Sequence, residues 1–183
     1  MRIISGVNKG MKLLSPIGED IRPTIDRVKE AAFNIMQFSL ENGVFLDMFS
    51  GTGQMGIEAI ARGAAKAYFF DPSASSMKVI KANVEKCGFS EKAVLRQSSY
   101  SALAGMSPKP KFDLVYIDPP FASNLFEDAL SFLVENELVV NGAIIIVETP
   151  KGQALPEKVG DFTAKTKHYG QISLTIYKNE EEL

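Results

Sequence analysis

Val44-Phe45-Leu46-Asp47-Met48-Phe49-Ser50-Gly51-Thr52-Gly53-Gln54-Met55-Gly56-Ile57-Glu58-Ala59 runs from an apolar stretch through one acidic residue into a glycine loop and then an apolar helical pattern. That order predicts a strand, a tight turn and a helix. Gly51 and Gly53 let backbone approach a ligand closely, and the N–H groups opening the helix face whatever sits there. The plain alternative is a glycine turn with no ligand.

Two ligands fit the spacing. Gly51-x-Gly53-x-x-Gly56 matches the dinucleotide fingerprint, and Asp71 stands at the distance expected of a ribose-binding carboxylate. Asp47 favours the other ligand. A buried carboxylate at a strand end repels a pyrophosphate but suits a molecule with an ammonium and a sulfonium, which is S-adenosylmethionine.

Outward from this stretch the pattern alternates. Strands are predicted at residues 67–70, 93–96, 112–117 and 143–147, with helices at about 55–62, 72–87, 99–106 and 126–134 between them. Near-continuous apolar strands alternating with helices specify a parallel sheet covered on both faces, a Rossmann-like α/β fold. Asn141-Gly142 reads as the turn into the strand at 143–147. Residues 162–168 and 172–177, joined by Gly170-Gln171, read as an antiparallel hairpin that completes a seven-stranded sheet. Upstream, residues 2–4 and 11–14 read as a β-hairpin displaying Arg2, Lys9 and Lys12. A loop to Pro23 follows, then a helix capped by Thr24 and running to about Phe38.

The chain has 183 residues and 45% hydrophobic content, enough for one core and one expected domain, 1–183, with an N-terminal extension (1–43) and a core (44–183). The single cysteine, Cys87, excludes an internal disulfide and, beside Gly88 at a helix end, reads as a small core residue. Neither a leader nor a membrane-length apolar run is recognised, so a cytoplasmic protein is expected. The net charge of −2 is unevenly spread. Residues 1–29 and 151–178 each carry +3, residues 30–150 carry −5 and the Glu180-Glu181-Glu182 tail carries −3. A polyanion would meet the two ends of the chain, although ordinary solvated faces give the same numbers.

Asp118-Pro119-Pro120-Phe121 is the most specific chemical signal. In open α/β sheets ligands lie beyond the carboxyl ends of the strands, so Asp47, Asp71, Ser98 and Asp118 should share a crevice. The prolines hold the segment extended. The Asp118 carboxylate and Pro119 carbonyl then form a pair of acceptors beside the Phe121 ring. Such a set suits a planar base with an exocyclic amine. Accepting both N–H groups favours the pyramidal amine and aims its lone pair, giving direct methyl transfer without a metal. Phe121 would stack a base taken out of its helix, worth about 1–3 kcal/mol.

The residues 46–53 with Asp118 to Phe121 are similar to the amino-methylating Rossmann-like methyltransferases. Arg2-Ile3-Ile4-Ser5-Gly6, Lys9-Gly10, Arg22-Pro23-Thr24, Asp26-Arg27-Val28-Lys29-Glu30-Ala31, Phe33-Asn34 and the late Tyr169-Gly170 narrow this, and nearly the whole chain resembles the bacterial RsmD family. That family methylates the N2 amine of one guanine in 16S ribosomal RNA. The resemblance implies that Asp47, Ser50, Gly51 and Gly53 hold the methionine part of S-adenosylmethionine and Asp71 its ribose hydroxyls, with Phe49 and Pro72 also at the cofactor. It implies that Asp118, Pro119, Pro120 and Phe121 form the catalytic segment. It also implies that Arg2, Lys9, Arg22, Arg27 and Tyr169 contact RNA, Arg22 or Arg27 alternatively ordering the loop over the cofactor. Where the family has Gly-Asp after the third strand this chain has Gln97-Ser98, so Ser98 replaces the carboxylate expected at the adenine amine. Weaker cofactor binding by about 1–2 kcal/mol is the expectation.

The implied partner is 16S ribosomal RNA in an assembled or assembling small subunit, with no membrane and no DNA. The alternatives are a DNA adenine or cytosine amino methylase, which would need duplex readout surfaces not recognised here, and a non-catalytic RNA-binding assembly factor. His168, the sole histidine, reads as a hairpin surface residue and Glu148 as structural. Lys165 and Lys167 read as either RNA contacts or edge protection.

Overall fold

The computed structural model describes residues 1–15, 26–120 and 125–179. The expected cap Thr24, together with Arg22 and Phe121, lies outside the described residues. The elements are α1 (Asp26–Met36), β1 (Val44–Asp47), α2 (Gln54–Ala61), β2 (Lys66–Phe70), α3 (Ala74–Lys86), β3 (Ala93–Arg96), a 3₁₀ turn (Tyr100–Gly105), β4 (Phe112–Ile117), α4 (Leu125–Glu135), β5 (Val139–Pro150), β6 (Lys158–Val159), β7 (Phe162–Tyr169) and β8 (Ile172–Asn179). They build one sheet in the order β3-β2-β1-β4-β5-β8-β7-β6. β3, β2, β1, β4 and β5 are mutually parallel; β8 is antiparallel to β5 and β7, and β6 to β7. The chain leaves β1 toward β2 and returns on the other side at β4, so the crevice between β1 and β4 is the topological switch point.

The sheet faces divide by strand parity. Phe45, Leu114, Tyr116, Ile144, Ile146, Leu174 and Ile176 face a core shared with α1, α2, α3 and the N-terminal hairpin. Leu46, Met48, Val115, Ile117, Ile145 and Val147 face Phe126, Ala129, Leu130 and Leu133 of α4. No helix among the described residues is long and apolar enough to cross a membrane.

Three expectations change. Among the described residues the sheet has eight strands rather than seven, because the two-residue β6 pairs Lys158 and Val159 with Thr163 and Phe162 and is too short to carry a period-two pattern. Asn141-Gly142 is not a turn before β5 but lies inside it. β4 advances from Phe112 to Leu114 while β5 advances from Val139 to Ile144, and the bulge is accommodated by Gly142 at φ 79°, a conformation costly for residues with a Cβ. The N-terminal hairpin is real but minimal, one Arg2–Lys12 bridge supported by Ile3 N–H to the Met11 carbonyl (3.0 Å) and Gly10 N–H to the Ile3 carbonyl (2.8 Å).

Glu58 on α2 anchors this hairpin. Its carboxylate accepts from the N–H groups of Ile4 (2.8 Å) and Ser5 (3.0 Å) and from Arg62 Nε (2.8 Å). It also lies 3.4 Å from Lys29 Nζ of α1, both side chains being fully buried. Lys29 Nζ in turn donates to the Arg2 carbonyl. Burial pulls the Lys29 ammonium below its ordinary pKa, with the attraction of Glu58 opposing that effect. On the α3 side Asn83 accepts from Leu14 N–H at 2.7 Å and donates to the carbonyls of Leu14 and Thr52. The extension is thus fastened to both helices that flank the glycine loop.

Candidate functional site at the carboxyl ends of the strands

The glycine loop is pinned to the strands on either side of β1. Met48 N–H donates to the Tyr116 carbonyl of β4 and Ser50 N–H to the Phe70 carbonyl of β2 (3.1 and 3.0 Å). Ser50 Oγ donates back to the Asp47 carbonyl at 2.9 Å. The loop closes at Gly53, which caps α2 in the left-handed region (φ 75°) with Ile80 packed beneath it. A side chain there would meet both strain and Ile80. Phe49 is half-buried, its ring edge-on to Tyr100 at 5.4 Å.

Asp47 is 3% exposed, and its Oδ2 accepts from Gly56 N–H at 3.1 Å. Burial pushes its carboxyl up to about 7, with the Gly56 bond opposing and Asp71 adding to the rise. A helix-opening N–H that would face a pyrophosphate in the dinucleotide reading is therefore already occupied by a carboxylate. Gln54, also in the first turn of α2, buries an Oε1 without a hydrogen-bond partner among the described residues. An acceptor set of this kind suits a cationic ligand.

At the end of β2, Asp71 accepts from Gly51 N–H and from Ser73 N–H, each at 2.8 Å, so one carboxylate ties the glycine loop to the head of α3. Ser73 caps that helix, accepting from Ser76 N–H at 3.3 Å, and Pro72 is exposed beside it. Ser98 follows β3, half-buried, its N–H donating to the Arg96 carbonyl at 2.9 Å.

Across the switch point, Asp47 pairs in register with Tyr116. Two residues on, Asp118 returns to the same sheet face, half-buried, followed by buried Pro119 and exposed Pro120. Glu148 of β5 stands one residue beyond the last ladder pair, Ile117 with Val147, and is therefore beside Asp118. Its Oε2 accepts from the Tyr116 hydroxyl. Burial holds that phenol well above its ordinary pKa, reinforced by Glu148, Asp118 and Asp47. Glu148, read from sequence as structural, thus stands with Asp118 and Asp47 around one buried phenol. The apolar run preceding it hid this, although a lone acid at a strand end could have raised it.

The residues expected at the substrate are less concentrated. Arg2, Lys9 and Arg27 are exposed on the N-terminal extension, Arg2 pairing with Asp26 at 3.2 Å. Tyr169 lies at the far side of the sheet, half-buried against the core. His168 is exposed and its Nδ1 meets Ser173 Oγ at 2.8 Å. Cys87 is buried, as expected of a small core residue. Among the described residues no group of three or more His, Cys, Asp or Glu side chains could hold a metal ion.

A family profile described as conserved hypothetical protein 95 matches residues 1–178. The chain is 38% identical to the ribosomal RNA small subunit methyltransferase D of Haemophilus influenzae, over 98% of this chain and 94% of that protein. It is 32% identical to the protein of the same name from Escherichia coli K12, over 100% and 91%. Among solved structures, a candidate methyltransferase from Escherichia coli superposes with a TM-score of 0.87 at 28% identity, covering 100% of this chain and 99% of that one. An RNA methyltransferase from Salinibacter ruber in complex with S-adenosyl-L-homocysteine shares the fold at 15% identity and a TM-score of 0.62, covering 88% and 96%. With the strand order, the glycine loop and the near-complete coverage agreeing, the chain belongs to the RsmD family of S-adenosylmethionine-dependent methyltransferases.

Proposed function

We propose that the chain transfers the methyl group of S-adenosylmethionine to the exocyclic N2 amine of a guanine in 16S ribosomal RNA of the small subunit, in the cytoplasm. The observation that carries this reading is that Asp118 follows two residues after the Asp47–Tyr116 pair on the same sheet face at the β1–β4 switch point. Asp47, Ser50, Gly51 and Gly53 would hold the methionine part of the cofactor, Asp71 the ribose hydroxyls and Ser98 the adenine amine, with Phe49 and Pro72 also at the cofactor. The bound cofactor supplies an electrophilic methyl group on a cationic sulfur.

The chain's own part is positioning and charge. The Asp118 carboxylate and Pro119 carbonyl accept the two N–H groups of the amine, which localises its lone pair. As the N–CH₃ bond forms the methyl–sulfur bond breaks, leaving a neutral thioether, and the positive charge passes to nitrogen near Asp118, Glu148 and Asp47, which stabilise it. The surplus proton leaves to Asp118 and on to solvent. The names of the curated relatives supply the ribosomal RNA, and the similarity of the N-terminal block to RsmD supplies the guanine.

Tritiated methyl transfer offered to isolated small subunits, protein-free 16S RNA and DNA, all from a strain lacking the activity, tests this. Label in the subunit or its RNA is expected; label confined to DNA contradicts the reading, and label nowhere favours a binding protein.

Asp47 gives a pH-dependent expectation. Its carboxyl ionises at about 7 when folded and near 3.8 when exposed. Between these values the unfolded chain has lost the proton that the folded protein keeps. Ligand-free stability therefore falls as pH rises through that window, by about 4 kcal/mol at most, and the loss is complete above pH ~7. Asp47→Asn should melt higher than the parent at pH 8 and alike at pH 4, while binding the cofactor at least about tenfold more weakly. Scanning calorimetry at the two pH values checks the first part; a lower melting temperature at pH 8 would show that Asp47 is ionised and stabilising.

Ser98 gives a second. Restoring a carboxylate with Ser98→Asp should tighten cofactor binding by about 1–2 kcal/mol, roughly 5- to 30-fold. Isothermal titration showing no change removes Ser98 from the adenine site.

A further inference from the structure

Along the same sheet face as the reaction centre, the ladder pairs define two rows. Asp47, Tyr116, Ile146, Ile176 and Lys165 stand in one, from β1 through β4, β5 and β8 to β7. In the next row toward the carboxyl ends, Asp118 of the β4 end and Glu148 of β5 lead through Leu174 to Lys167. Tyr169 follows one step further, paired with Ile172. Three strand spacings separate Asp118 from Lys167, about 14 Å, and Lys165 and Lys167 are about 7 Å apart along β7.

The two faces of β7 differ. On one, Thr166 bonds Thr175 (3.0 Å) and His168 bonds Ser173 (2.8 Å), closing cross-strand pairs. On the other, Lys165 and Lys167 are exposed and neither enters an ion pair or hydrogen bond among the described residues. Ile176 and Leu174 beside them are buried, so the covered apolar face gives way at its last long strand to two free cations and the half-buried ring of Tyr169.

Resting on the methyl-transfer reading above, we propose that the Lys165–Lys167–Tyr169 face of β7 is a second RNA-binding wall, which holds the single-stranded ribosomal RNA on one side of the target nucleotide. The layout of charge explains why two walls are needed. Asp118 and Glu148 stand in the row that leads to Lys167 and repel phosphate, so the backbone is held at cationic rims while the uncharged base alone descends. The lysines bind phosphates of the flanking nucleotides and Tyr169 offers a ring for a neighbouring base. Edge protection alone would ask for cations anywhere on β7, not for a stripe on the face and in the rows of the reacting carboxylates.

The test uses the full chain with Lys165→Glu/Lys167→Glu, the milder Lys165→Gln/Lys167→Gln, and a control, Lys66→Glu/Lys92→Glu, with the same charge change at the opposite ends of the strands. Filter binding to protein-free 16S RNA and to small subunits should weaken by about tenfold or more for the Glu pair and by a smaller factor for the Gln pair. The salt dependence, log K against log salt, should flatten by about one to two, and the control should change little. KM for RNA should rise while kcat and cofactor affinity hold. Equal losses in the control, or unchanged binding in both β7 variants, overturn the inference, as does self-association of the variants with RNA binding per chain intact. Loss of binding confined to the β7 variants, with methyl label found only in DNA, would keep this wall and refute the proposed substrate instead.

Discussion

Asp118→Ala is expected to slow methyl transfer by about 10³-fold while leaving the cofactor dissociation constant within about threefold of the parent. The asymmetry follows from position. Asp47 and Asp71 organise the glycine loop and the head of α3 through Gly56, Gly51 and Ser73, and none of these bonds involves Asp118. Asp118 leaves β4 at the switch point, and the two prolines after it set the path of the chain whatever side chain precedes them. Removing the carboxylate therefore spares the pocket but takes away an acceptor for the amine and one charge facing the growing cation. Asp118→Asn keeps an acceptor oxygen without the charge and should fall between Ala and the parent. Single-turnover transfer and isothermal titration on the same preparations separate the two effects. Equal losses in both would make Asp118 a cofactor ligand rather than the residue that holds the amine.

The largest expected effect on stability is at Glu58. Glu58→Ala should destabilise the protein by about 3–5 kcal/mol, because it leaves the buried Lys29 ammonium without its counter-ion. For a chain of this size that is a fall of about 10 °C in melting temperature. The same substitution orphans the N–H groups of Ile4 and Ser5, so the N-terminal hairpin loosens with it. A double variant, Lys29→Met/Glu58→Leu, should recover only part of the loss. It removes both buried charges, but the two backbone donors still lack an acceptor. Full recovery in a thermal melt would mean that the carboxylate serves Lys29 alone and the hairpin is held by its apolar contacts.

Which parts of this were legible in the sequence follows from what each signal depends on. The strand–glycine loop–helix unit and the strand ends at Asp47, Asp71 and Asp118 were legible because hydrophobic periodicity and proline or glycine stops are local. β3 and β4 fall where the apolar runs place them. Asn-Gly is a strong turn signal and so predicts a β5 shorter than the observed one, whereas tertiary pairing with Phe112 carries the strand through it as a bulge. β6 has too few residues to signal itself. The buried ion pair was hidden for another reason: Lys29 and Glu58 look like solvent-facing charges on their helices, and only the packing of α1, α2 and the hairpin around them makes them interior. The association of Glu148 with Tyr116 and Asp118 likewise needs the register between β4 and β5, which sequence does not carry.

If the residues at the β1–β4 switch methylate the N2 amine of a guanine, the modified nucleoside will carry the methyl group there. Small subunits lacking the modification would be incubated with the protein and S-adenosylmethionine, their 16S RNA digested to nucleosides, and the products separated and weighed by mass spectrometry. N2-methylguanosine, present with the parent protein and absent with Asp118→Ala, is the expected result. A methyl group on adenine, cytosine or a ribose hydroxyl, or one that Asp118→Ala still delivers, would contradict it.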